Sequence, residues 1–270
     1  MSFIEQSFQA IAKKINNILN QQEALFNYTL RLADTGLVLG QRLAEWCGHG
    51  PTLEQDIALT NTALDLIGHA RYFYQYAGEI EGKGRSEDDL AYLRDTNEFK
   101  NVLLVEIPNG HFGTTIMRQF LFDAFNFSFL KALTESKDTQ LAGIAKKAVK
   151  EVAYHLKISS EWVIRLGDGT QESQQKMQGA LEDIWMYSGD MFIMDAVDEV
   201  LIEAGIAPDL AQIKEQWTQK VDAVLYEATL KKPKSTWMQK GGKVGLHTEH
   251  LSFLLAEMQS LKRRFPTATW

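Results

Sequence analysis

The chain has 270 residues, 45% of them hydrophobic, and its 14 Phe, 8 Tyr and 6 Trp can fill a sizeable core without a cofactor or disulfide. A net charge of −7 with dispersed lysines and arginines argues against a nucleic-acid partner, which calls for concentrated basic surface. Cys47 is the only cysteine, which excludes an internal disulfide and cysteine-based zinc sites; no basic leader and no run of about 18 apolar residues occurs, so a cytoplasmic protein with no membrane partner is expected.

Residues 1–21 read as an N-terminal helical extension with an apolar stripe of Phe8, Ile11, Ile15 and Ile18, and residues 22–270 as one helical domain. The first long helix is expected from Gln22 to Trp46, stopped by Gly48, Gly50 and Pro51. Thr52 caps the second, with Gln55 completing a capping box, and that helix is expected to reach Tyr76, with Gly78, Gly82 and Gly84 in its exit loop. A shorter helix is expected over Glu87–Leu104, ending before Pro108-Asn109-Gly110. Thr114–Leu133 and Thr139–Leu166 follow as the third and fourth long helices, the last closed by Gly167-Asp168-Gly169. Ser173–Ala204, Asp209–Leu230 and Thr248–Arg264 complete an all-α chain, a four-helix bundle core with additional helices.

Four acids sit in stretches of helical hydrophobic spacing. Glu151 shares a stripe with Ile144, Ala148, His155 and Ile158; Asp123 shares one with Ile116, Phe120 and Phe127; Asp65 lies with Ala58 and His69; Glu45 follows Val38 and Gln41. A di-iron bundle needs one Glu on each of two helices and a Glu-x-x-His pair on each of the other two. In this chain His69 and His155 stand four residues after their acids, because Gly68 and Tyr154 occupy the third positions, and two of the four acids are the shorter Asp. Two readings stay open: a di-metal oxidase using the shifted histidines, or a network in which acids and imidazoles satisfy one another, with Arg42 or Arg71 as further donors. The second predicts that Glu151→Ala costs roughly 1–3 kcal/mol through broken buried hydrogen bonds.

A second dense segment runs from Gly241 through Lys243 and His247 to His250. Its glycines read as a turn and its histidines as surface or interface groups, which leaves Lys243, His247 and Glu249 for partner contact; phosphate or coenzyme A binding at Lys243 is a third reading.

Several runs occur in order: Tyr28–Asp34 (YTLRLAD), Gln41–His49 (QRLAEWCGH), Leu103–Gly110 (LLVEIPNG), Lys150–Leu156 (KEVAYHL), Gly245–Leu251 (GLHTEHL) and Leu255–Gln259 (LAEMQ). Together these resemble the C subunit of ring-1,2-phenylacetyl-CoA epoxidases from about Glu23 to Trp270. The resemblance implies a ferritin-like structural subunit of a multicomponent monooxygenase in aerobic phenylacetate catabolism. It implies no catalytic residue, no metal and no cofactor in this chain, with the di-iron centre in a homologous catalytic subunit that this one keeps folded and soluble. A separate reductase would supply electrons from NADPH. The implied assembly is a hetero-oligomer with the other oxygenase components, a homodimer being open to the chain alone. Glu45, Asp65, His69, Asp123, Glu151 and His155 would then be a degenerate di-iron site kept as a polar network, with His69 standing where the resemblance leads one to expect an amide.

Overall fold

The computed structural model describes the backbone of residues 3–268 and the side chains of residues 21–268. The first helix, α1, runs from Phe3 to Ala44, so its backbone passes through residue 21 without a break. The stripe expected at Phe8, Ile11, Ile15 and Ile18 lies outside the described side chains. Helix α2 spans Leu53–Glu81, and the Thr52 hydroxyl caps it by accepting from the Gln55 N–H at 3.4 Å. It continues past the expected end at Tyr76, with Gly78 inside the helix, where a Cβ would lie 2.6 Å from the Arg85 carbonyl oxygen. Gly82 ends it in the left-handed conformation, its N–H returning to the Gly78 carbonyl.

Glycine also explains how closely α1 and α2 pair. A Cβ on Gly36 would lie 3.2 Å from the Leu66 carbonyl oxygen, and one on Gly40 would lie 2.8 Å from Ile67 Cγ1. These positions are one helical turn apart, so the absence of both side chains lets the two backbones approach along a shared edge.

The crossover that follows differs from expectation. Instead of a helix over Glu87–Leu104 there is a short α3, Glu87–Tyr92, with a Ser86/Asp89 capping box, and then 3₁₀ turns at Thr96–Glu98 and Leu103–Glu106. The backbone donors of this stretch go to distant side chains. Lys100 N–H bonds the Asp34 carboxylate at 2.7 Å, Val102 N–H the Thr35 hydroxyl at 3.3 Å, and Leu103 N–H the Asp190 carboxylate at 3.1 Å. Such bonds replace the helical ladder that the buried backbone would otherwise need. Val102, Leu103, Leu104 and Val105 are all buried, a continuous apolar run that no single helical stripe could hide.

Helix α4 spans Phe112–Leu133 and α5 spans Thr139–Gly167, the latter capped by Asp138 accepting from Leu141 N–H at 2.9 Å. From Thr115 to Phe125 α4 is buried without a break, as a central helix should be. The two long pairs, α1 with α2 and α4 with α5, form a ferritin-like bundle in which the segment between α2 and α4 is the single long crossover.

The expected helix over Ser173–Ala204 is also broken. Helix α6 covers Gln171–Ile184, a 3₁₀ stretch covers Trp185–Phe192, and α7 covers Ala196–Glu203. Two features force the break. A Cβ on Gly189 would lie 2.6 Å from Met238, so the later chain packs against it, and Asp195 starts α7 with its own capping box. Helices α8, Leu210–Glu227, and α9, Glu249–Arg264, complete the layer around α4 and α5 and the cover over the crossover. Among the described residues no helix is long and apolar enough to cross a membrane.

Candidate functional site

Asp65 and His69 are one turn apart on α2, and Glu151 and His155 are one turn apart on α5. The two helices meet antiparallel, so the acid of each faces the histidine of the other. His69 Nε2 lies 2.6 Å from Glu151 Oε2, and His155 Nε2 lies 2.8 Å from Asp65 Oδ2. The four-residue spacing therefore produces two reciprocal acid–imidazole pairs. Both imidazoles are buried, while the side chains of Asp65 and Glu151 remain 36% and 49% exposed. Burial pulls the His155 pKa down despite the opposing Asp65 hydrogen bond. A neutral ring with its proton on Nε2, facing the carboxylate, fits that environment.

Asp123 does not join these pairs. It is fully buried on α4 and accepts from Gln119 Nε2 at 2.7 Å and from the Ser159 hydroxyl at 2.8 Å. Burial pushes its pKa up to about 8, with those two hydrogen bonds opposing the rise. Near neutral pH the carboxyl keeps its proton, and a protonated acid is a poor metal ligand. Glu45 also stands apart, just beyond the end of α1. Its carboxylate accepts from Arg42 Nη1 at 2.8 Å and Asn109 Nδ2 at 3.0 Å, which ties the helix end to the Pro108–Gly110 turn. The single network expected of six residues is thus four separate arrangements, with Glu45 and Glu151 at the surface.

A dinuclear iron centre asks for carboxylates and imidazoles converging on one point. These residues do not fit it: each imidazole faces one carboxylate, Glu45 and Asp123 are engaged elsewhere, and among the described residues no three His, Cys, Asp or Glu side chains gather as metal ligands.

The segment around Lys243 faces inward instead of outward. Lys243 Nζ donates to the Ile193 carbonyl at 2.7 Å and lies 3.6 Å from Asp198, and burial pulls its pKa down. His247 is enclosed, with Nδ1 2.6 Å from Glu106 Oε1 and Nε2 2.9 Å from the Phe99 carbonyl oxygen. The reading of Lys243 and His247 as surface contacts is corrected by this burial; Glu249, in the first turn of α9, is exposed. The 3₁₀ turn at Gly242–Val244 explains the inward aim, because it seats the segment against Asn101 and Asp190.

Sequence reasoning passed over the most deeply buried charges. Asp34 accepts from Tyr74 Oη at 2.6 Å, from Lys100 N–H and from both terminal nitrogens of Arg94. Glu106 accepts from Asn101, from His247, and from the backbone and hydroxyl of Thr248. Both acids lie within the runs that carry the resemblance, and Asp34 falls on the buried stripe of Leu30, Leu37 and Val38, so the periodicity that selected Asp123 also points to it.

The phenylacetic acid catabolic protein family model matches residues 6–270. The C subunit of the Escherichia coli (strain K12) 1,2-phenylacetyl-CoA epoxidase is 51% identical over 243 residues, covering 90% of this chain and 98% of that protein. These matches agree with the runs from Tyr28 to Gln259 and with the all-α ferritin-like architecture. The chain therefore belongs to the phenylacetic acid catabolic protein family.

Proposed function

We propose that this chain is the non-catalytic structural subunit of a multicomponent di-iron monooxygenase that epoxidises the ring of phenylacetyl-CoA, and that it stabilises a related catalytic subunit. The observation that carries the reading is the reciprocal pairing of Asp65 with His155 and His69 with Glu151. Each group that a metal would need already has a protein partner. The similar Escherichia coli protein is one subunit of an epoxidase, which supports an assembly containing more than one kind of chain.

The outer face of α2 adds support. Leu53, Ile57 and Leu64 are exposed there, and Tyr154 is exposed on the neighbouring α5. An apolar face of this kind favours docking against another helical surface. The catalytic partner would hold the iron and the CoA thioester, while this chain contributes a rigid face.

The test is metal content and co-purification. The chain is purified alone from cells supplied with iron and manganese, and again after co-expression with the catalytic subunit from the same source. The expected result is a folded helical chain with close to no metal alone, and a stable complex with iron in the catalytic subunit. Near two metals per chain in the isolated protein, with oxygen consumption in the presence of a reductant, would overturn the proposal in favour of a di-metal oxidase.

A further inference from the structure

Between α8 and α9 the chain crosses the surface as a strap, residues 231–241, without helix or strand. Both ends are fixed. Lys231 N–H donates to Gln178 Oε1 at 2.8 Å, and Gln178 Nε2 donates to the Lys231 carbonyl at 3.0 Å. At the other end Gln239 N–H bonds the Met186 carbonyl at 2.9 Å, Gly241 N–H bonds Asp190 Oδ1 at 2.8 Å, and Met238 packs on Gly189.

The stretch between these anchors differs from the rest of the surface. It holds Lys231, Lys232, Lys234 and Lys240 and no acid, in a chain whose net charge is −7. Lys232 bonds Asp222 at 2.7 Å, whereas Lys231, Lys234 and Lys240 form no ion pair among the described residues. Trp237 stands 60% exposed, and the backbone N–H groups from Lys234 to Trp237 meet no protein acceptor among the described residues. A groove of about 480 Å³ lies beside the first half of the strap, walled by Gln174, Gln178 and Glu182 of α6 and by Thr229, Lys231 and Lys234.

A run of lysines is ordinarily a solvated surface. Fixed ends, a groove and a bare indole set this one apart. Anchoring lowers the ordering cost that a partner would otherwise meet, and tryptophan is among the side chains enriched at the centres of binding surfaces. Charge then selects the partner. A dense polyanion fits poorly, because Glu182 lines the groove and Asp222 borders Lys232. Carboxylates spaced along a peptide can each meet a lysine and stay clear of both acids, while peptide carbonyls accept from the open N–H groups.

We infer that the strap docks an acidic segment of a partner protein, its carboxylates meeting Lys231, Lys234 and Lys240 and an apolar side chain covering Trp237. The site is built on α6 and the strap, not on the helices that carry the acid–histidine pairs, and does not depend on the role proposed above.

The probe is a fluorescein-labelled peptide of about ten residues in which glutamate alternates with valine, titrated with the full chain and followed by anisotropy. Saturable binding is expected, and it should weaken as added salt shortens the Debye length from about 10 Å to about 3 Å. The triple variant Lys231→Gln, Lys234→Gln, Lys240→Gln should weaken it about tenfold, and Trp237→Ala about fivefold or more. All four side chains are exposed, so each variant should keep the wild-type thermal transition. A control triple, Lys146→Gln, Lys147→Gln, Lys150→Gln, removes the same charge from α5 and should change binding less than about twofold. The inference is overturned by absence of a saturable anisotropy change in the wild-type chain, by equal losses in the two triples, or by wild-type binding in Trp237→Ala. It is equally overturned if a labelled oligothymidylate of the same length binds as tightly as the peptide, the behaviour of a general anion patch.

Discussion

The acids between α2 and α5 and the acids under the crossover solve different problems. Asp65 and Glu151 lie at the rim of a helix–helix contact, where one imidazole and water are sufficient. Asp34 and Glu106 are fully buried, and each is surrounded by four donors, some from the backbone of a segment that has no helix to satisfy it. The acid-and-histidine pattern that draws attention in the sequence therefore marks a contact between two helices. The less conspicuous lone acids hold the irregular crossover to the bundle and to the start of α9.

That contrast gives the largest expected effect. Asp34→Ala leaves the Arg94 charge buried without its carboxylate and also removes the partner of Tyr74 Oη and Lys100 N–H. Breaking a buried pair from one side costs about 3–5 kcal/mol. Urea denaturation of the purified chain should show this as a lower midpoint. A loss below about 1 kcal/mol, the range of an exposed pair, would erase the distinction between the two regions.

The four long helices were legible because their spacing, caps and flanking Gly and Pro residues are local signals, Thr52 being the clearest. The breaks within Glu87–Leu104 and Ser173–Ala204 were not. They depend on bonds such as Asp34 to Lys100 N–H and Asp190 to Leu103 and Gly241 N–H, whose partners are far apart in sequence. The same limit applied to the site. The four-residue spacing of Asp65 to His69 and of Glu151 to His155 was visible, but their reciprocal pairing required the antiparallel register of α2 against α5. Lys243 and His247 were misplaced for a related reason: nothing near them in the chain announces Asp198 or Glu106.

Asp123 sharpens the comparison by pH. Its folded pKa is raised to about 8 from an ordinary 3.8. Between those values the folded chain keeps a proton that the unfolded chain has released, so stability falls as pH rises and levels off above about 8, with a slope of at most roughly 1.4 kcal/mol per pH unit. His155 acts in the opposite sense, because its lowered pKa makes stability fall as pH drops below its ordinary 6.5. Across the window from 6.5 to about 8 the two act at different ends, and the difference between the wild-type chain and an Asp123 variant reports Asp123. Asp123→Asn should flatten the fall there and raise stability near pH 8 by roughly 1–2 kcal/mol. The otherwise unpartnered Gln119 Oε1 offers its new amide an acceptor. Urea midpoints measured across the window test this, and a variant with the wild-type slope would show that Asp123 is already ionised.

The smallest expected effect is at Glu151. Half exposure of its side chain replaces the sequence-based expectation of a buried loss with that of a surface ion pair, so Glu151→Ala should cost less than about 1 kcal/mol. A single substitution at that level cannot separate the lost contact from changed helix propensity. The decisive quantity is the coupling between Glu151→Ala and His69→Ala in a double-mutant cycle, because the cycle cancels what each substitution does alone. Asp65 with His155 provides a matched second cycle in the same interface. Coupling below about 1 kcal/mol in both cycles would leave the rim pairs as orienting contacts. Coupling of about 3 kcal/mol or more in either would place that pair with buried charge networks, and the exposed carboxylate would then have to be covered in the state measured.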